Sequence, residues 1–196
     1  MPRTGLTPEE IQDRAVGIAV GRMRRDGFQK VRLVDIAKDI GVSHAALYGH
    51  FADKAALLDA VSARWLQAID AELDAFCRSR RDPVAKLQGW CLRLHRRKRE
   101  RVRRDPELYK SFDAAADLGK PFIQEHLMNV RRQVTGLVQE AMAAGRIRRG
   151  DPARVAAVVL AASAAFHHPK MVAQFLDEDC EPLLRRTLAA VLKGLQ

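Results

Sequence analysis

Ser43, His44, Ala45, Tyr48, His50 and Lys54 fall close together in the chain, and their side chains suit non-covalent chemistry. A hydroxyl, two imidazoles, a phenol and an ammonium are donors that hold phosphate oxygens and read base edges, and an alanine methyl packs against thymine. A second group, Trp90, Phe122, His126, Ser163, Phe166 and His167, mixes large apolar surface with a few polar atoms. That composition suits a small-molecule cavity between helices, although a packed core uses the same residue types. A third, His126, His167, His168 and Asp177 to Cys180, contains metal-ligating types. Adjacent histidines on a helix point about 100° apart, so one ion cannot use both without distortion. No metal and no cofactor are expected. The chain also lacks a Gly-rich phosphate loop, a nucleophile elbow and a carboxylate pair set among polar residues, which argues against an enzyme.

Charge points to a polyanionic partner. The net charge is +10, and it is concentrated: residues 1–77 hold 10 Lys+Arg against 11 Asp+Glu, residues 78–104 hold 12 against 2, and residues 105–196 hold 12 against 11. The densest run is His95 to Arg104. Either it is a solvated helix end, favoured by the helix dipole, or Arg101, Arg103 and Arg104 reach phosphates. The apolar stripe Leu87, Cys91, Leu94 continues through Lys98 to Val102.

The elements that must position these groups are helices. No window alternates in the manner of a half-buried strand, so the fold class is all-α with about nine helices. Thr7-Pro8-Glu9-Glu10 is a capped helix start and Gly27 its stop. Leu33 to Ile40 forms a second helix, Gly41 turns the chain, and Ser43 caps a third. Lys54 to Phe76 reads as one long helix. Pro83, Pro106 and Pro121 open three more, Asp151-Pro152 opens an Ala/Val-rich helix, and Pro182 a terminal one. Domain boundaries at 1–53 and 54–196 follow. Met1–Glu10 carries Arg3, Thr7, Glu9 and Glu10 in place of an apolar signal core, and the apolar run Val155 to Phe166 is shorter than the ~20 residues of a membrane span. A cytoplasmic chain with no membrane crossing is expected. Cys77, Cys91 and Cys180 are odd in number and widely spaced, as reduced core thiols would be.

Ile36-Ala37 through Gly41-Val42 to Leu47-Tyr48 has the spacing of a helix-turn-helix. Small Ala37 allows a close crossing, Gly41 supplies a left-handed turn, and Val42 and Leu47 plug the shared core. A tight helical hairpin without a nucleic-acid role has the same spacing. The neighbours add to it: Ser43 through Phe51, Asp53-Lys54, Ala56-Leu57-Leu58, Gly27-Phe28 and Asp35-Ile36-Ala37 closely resemble the N-terminal domain of TetR (tetracycline-repressor-like) transcriptional regulators, over residues 7–60. The resemblance implies a three-helix DNA-binding head and a larger helical domain for ligand binding and dimerisation. It also implies repression of a roughly palindromic operator, relieved by a small-molecule effector. Tyr48, His50 and Lys54 match the family's phosphate-contacting positions, and Ser43, His44 and Ala45 its base-facing ones. Arg32 stands where a Thr or Ser usually caps the second helix, so a charged contact could replace a hydroxyl one. The homodimer would form through residues 151–196, where alanines let a partner helix approach. A sequence-independent structural DNA-binding protein is the alternative reading.

Overall fold

The computed structural model describes residues 5–195, and every regular element among them is helical. In order these are α1 (Pro8–Asp26), α2 (Leu33–Ile40), α3 (His44–Tyr48), α4 (Lys54–Cys77), α5 (Pro83–Arg104), α6 (Pro106–Asp117), α7 (Pro121–Ala143), α8 (Pro152–Ser163), α9 (Pro169–Gln174) and α10 (Glu181–Gly194), with short 3-10 turns at Phe28–Lys30 and Ala164–Phe166. The nine expected helices are present. The additional segment, α9, follows a break at His167-His168, where Pro169 cannot continue a helix but can start one. Arg3 lies outside the described residues.

Local chemistry sets the boundaries. The Thr7 hydroxyl accepts the Glu10 N–H while the Glu10 carboxylate accepts the Thr7 N–H, a reciprocal cap. Ser43, Asp53, Asp82 and Asp151 cap α3, α4, α5 and α8 through their side-chain oxygens. Gly41, at φ 83°, takes the left-handed conformation a β-carbon would disfavour. It turns α2 into α3 while Val42 N–H bonds the Ala37 carbonyl at 3.0 Å.

Burial then assembles the head. Ala15 and Ala19 of α1, Ile36 and Ala37 of α2, Leu47 of α3, and Leu57 and Val61 of α4 form one core, to which Leu108 of α6 is added. A second core joins α4, α5, α7, α8 and α10 through residues such as Leu73, Leu87, Val134, Val159 and Leu188. Fully burying each such side chain contributes about 1.5–3 kcal/mol. Under α6, Leu66, Val102, Tyr109, Phe112 and Ile123 form a third. Helix α4 packs on α1 at one end and on α5 and α7 at the other, making it the rod between head and body.

The stretch Pro152–Gln174 is more apolar than its uninterrupted run suggests. By length and composition it is apolar enough to cross a membrane, although the uninterrupted run Val155 to Phe166 is too short. In the fold it is α8, a 3-10 turn and α9, with Ala156, Val159, Phe166 and Val172 buried against the body.

Candidate nucleic-acid interface

The reading surface is built from α3 outward. Leu47 is completely buried and anchors the helix, so Ser43, His44, Ala45 and Ala46 point to solvent together. The Ser43 oxygen accepts the Ala46 N–H at 3.1 Å, leaving its own proton free to donate. The His44 and Tyr48 rings lie 4.3 Å apart, centroid to centroid, one helical turn from each other. Tyr48 is 42% exposed despite its size, and its phenol is presented outward. His50 Nδ1 sits 3.4 Å from the Gln12 amide of α1. An amide donating there leaves the imidazole proton on Nε2, facing away from α1. Lys54 opens α4 and donates to the Gln29 carbonyl at 3.3 Å, and burial lowers its pKa. Arg32 is exposed at the start of α2 and makes no side-chain cap, so the guanidinium takes the place, but not the role, of a capping hydroxyl. Ser43, His44 and Tyr48 are thus presented by α3 itself, and Arg32, His50 and Lys54 lie at the start of α2 and on the segment that leads from α3 into α4. A helix of this exposure fits the major groove, where side chains reach base edges and flanking donors grip phosphates.

Helix α5 runs through the body, and most of the charges in its basic run are engaged by the protein itself, while Arg104 is exposed and lines a groove with Met23, Arg24 and Gly27 at the end of α1. Lys98 Nζ donates to the His167 carbonyl at 2.8 Å, and Arg99 to those of Phe175 and Leu176 at 2.9 and 2.6 Å. Arg96 pairs with Glu181 of α10, Arg97 with Glu72 of α4 and with Glu100. Arg101 binds Asp105 at 2.8 Å and covers the Trp65 ring, while Arg103 donates to Leu176. Asp105 is held below the usual carboxylate range: burial works against this, but the Arg24 hydrogen bond and Arg101 charge outweigh it. Arg101 is thus spent on Asp105 inside the protein and Arg103 on a backbone carbonyl, while Arg104 remains exposed. Arg101 and Arg103 tie the 166–176 segment and α1 to α5.

The apolar candidates separate into core and cavity. Trp90 is completely buried and donates to Gln133 at 2.9 Å, and Ser163 donates to the Val159 carbonyl at 2.8 Å. Phe122 packs beside the α6 core. His126 and His167, in contrast, line a cavity of about 280 Å3 between α5, α7 and α8, walled by Leu94, Leu127, Val130 and Leu160. Phe166 lines a neighbouring cavity of about 250 Å3 with Met171, Val172 and Leu183. The His126 Nδ1 lies 2.6 Å from Asp70, whose second oxygen accepts from Asn129 at 3.0 Å. Burial lowers the His126 pKa against the pull of Asp70, and it lowers that of His167 further with the Lys98 charge beside it. Both His167 ring nitrogens are buried without a partner. Lys98, 6% exposed, lines the same cavity, and burial brings its pKa down to about 8. Sequence reasoning placed Lys98 in the apolar stripe of α5 but not in a site. The available signal was a lysine at a position where every fourth residue is buried. Among the described residues no three His, Cys, Asp or Glu side chains converge on an ion position.

Comparison with known proteins gives two family matches. Residues 19–61 match the model described as bacterial regulatory proteins, tetR family, and residues 83–188 the model described as tetracyclin repressor-like, C-terminal domain. No curated protein matches the chain. Among solved structures, a protein of unknown function from Rhodococcus sp. RHA1 is 24% identical with a TM-score of 0.67, covering 94% of this chain and 95% of its own. FadR from Thermus thermophilus, a transcriptional repressor in complex with lauroyl-CoA, is 18% identical with a TM-score of 0.65, covering 94% and 95%. RolR in complex with resorcinol is 18% identical with a TM-score of 0.61, covering 95% and 88%.

Proposed function

The chain belongs to the TetR family of DNA-binding transcriptional regulators, which are not enzymes, and from that premise we propose that it is a homodimeric repressor released from its operator by a small molecule. The observation that carries the reading is the exposure of Ser43, His44, Ala45 and Tyr48 on a short helix whose inner face is locked by Leu47. Ser43 and His44 donate to base edges, Ala45 packs on thymine methyls, and Tyr48, His50, Lys54 and Arg32 hold phosphates. Phosphate contacts set the register and base contacts choose the sequence. The internal use of the basic run removes the main support for binding by charge alone.

Dimerisation through residues 151–196 is supported by the outer face of α8. Ala157, Val158 and Ala161 are exposed there, with Val158 at 51%, and Leu183 of the adjacent α10 is equally exposed. A row of small residues lets a second copy of α8 approach closely, and two-fold pairing presents two reading helices to two half-sites. The effector role rests on the 280 Å3 cavity, with two neighbours in the fold whose structures hold a phenol and an acyl-CoA. Selection of genomic fragments by the purified protein at moderate salt tests the reading: a repressor of this kind retains a small set of fragments sharing a two-fold-symmetric site.

A further inference from the structure

Lys98 is a buried cation in search of a counter-charge. Its ammonium has three protons to donate, and one goes to the His167 carbonyl. Among the described residues no carboxylate lies within ion-pair distance. Asp70, the acid whose field reaches it, has both oxygens engaged, by His126 and by Asn129. Beside Lys98, the His167 ring is 8% exposed with neither nitrogen bonded, so a neutral imidazole there offers one donor and one acceptor to whatever fills the cavity. A buried charge of this kind costs free energy unless paired. Exposed Arg131 at the cavity rim adds a second positive charge. The rest of the wall is mostly aliphatic, with His126, engaged by Asp70, and His168 among it. A 150 Å3 apolar cavity admits benzene, so 280 Å3 admits one or two rings with a substituent.

We propose that this cavity takes a small monoanionic organic acid, its ring-sized apolar body against Leu94, Leu127, Val130 and Leu160 and its acidic oxygen, of a carboxylate or a phenolate, held by Lys98 Nζ and the His167 ring. The proposal rests on the reading of the chain as an effector-responsive regulator and names the class of effector. A neutral ligand of the same shape leaves the ammonium uncompensated, and an amine adds a like charge beside it. Both are rejected. Within the same pocket His126 and Asn129 engage Asp70, so that the acid whose field reaches Lys98 is already occupied.

Calorimetric titration of the full chain at pH 7 with 2-naphthoate, 2-naphthol, 2-naphthamide and 2-naphthylmethylamine tests it without DNA. At least one of the two acids binds, the amide binds about tenfold or more weakly than that acid, and the amine is rejected. Preference for naphthoate assigns the head to a carboxylate; naphthol, un-ionised in water at pH 7, assigns it to a phenolate when its binding releases a proton, read as a dependence of the binding heat on the ionisation enthalpy of the buffer, and naphthol preferred without proton release overturns the proposal. Amide binding equal to or tighter than both acids, or no binding by any probe, overturns the proposal. In Lys98→Met the acid affinity falls to that of the amide while amide binding persists, which separates loss of the charge from loss of the cavity. Because the comparison among probes on the unaltered chain already decides the matter, a Lys98→Met chain that does not fold leaves the test intact. Whether the bound acid frees DNA is read separately by fragment retention. An acid that binds without release overturns the effector reading and leaves the ligand class standing.

Discussion

His44 and Tyr48 touch on α3 and Lys54 opens α4, yet they are assigned different work, and substitution separates them. Tyr48→Phe removes one phenolic donor and Lys54→Ala one charge from the DNA backbone contacts. Each is expected to weaken binding to all sequences alike, by about 1 kcal/mol, without altering which sequence is preferred. His44→Ala is expected to relax preference at one base position by about 1–3 kcal/mol of discrimination. Affinity profiles over a randomised operator library check this, and an unchanged profile for His44→Ala contradicts the placement of α3. At the same scale Lys98 makes a prediction about pH. Its folded pKa of about 8 lies below the ~10.4 of an unfolded lysine, so between those values the unfolded chain holds a proton that the folded chain has released. Stability from this group therefore rises with pH across that window. Lys98→Met loses that dependence, and the melting temperature of the unaltered chain gains on the variant between pH 7 and 9.5. Parallel profiles would show that Lys98 keeps an ordinary pKa. The residues of the head were legible in the sequence because their geometry is local: Gly41, Ala37 and Leu47 lie within a dozen positions of each other and settle where Ser43 to Tyr48 point. Lys98 and Trp90 were not, because their neighbours come from distant helices. Trp90 and Ser163 attract attention as polar atoms among apolar ones, and Gln133 and the Val159 carbonyl satisfy them without any ligand.

Helix α5 shows how composition misdirects. Twelve positive charges in residues 78–104 read as a solvated helix end or as a contact with phosphates, both of them surface roles, yet Lys98 and Arg99 are buried and Arg101 is nearly so. The helix was legible, opened by Asp82-Pro83 and striped by Leu87, Cys91 and Leu94; its central place among α4, α7, α9 and α10 depends on contacts no local spacing encodes. Its C-terminal half now connects the two regions of the molecule. Arg99 and Arg103 grip the 175–176 carbonyls, Arg101 grips Asp105, and Asp105 accepts two bonds from Arg24 of α1 at 2.9 and 3.0 Å. Arg101→Gln with Arg103→Gln is expected to leave the slope of log affinity against log salt within about one unit of the unaltered protein, whereas phosphate contacts by both residues of a dimer would flatten it by about two to four. The same double variant loses about 2 kcal/mol of stability, since Asp105 keeps only Arg24 as a partner. Salt titrations of fragment binding and denaturant unfolding measure the two effects.

The whole molecule joins the outward-facing α3, a cavity among α5, α7 and α8, and a rod, α4, packed against both regions. A ligand releases DNA only by favouring a dimer geometry whose heads no longer match half-sites about one helical turn apart. Reciprocity then requires saturating operator to weaken ligand binding by the same factor by which ligand weakens operator binding. Calorimetry with and without operator reads one factor and fragment retention with and without ligand the other; unequal factors contradict coupling through a common pair of states. The central claim is that Ser43 to His50 choose a DNA sequence, and selection of genomic fragments by the purified full chain tests it most directly. The account predicts a few retained fragments sharing two inverted half-sites about 10 base pairs apart, with the shared bases altered when His44→Ala is used. Equal retention of all fragments, or the same site for both proteins, would contradict it.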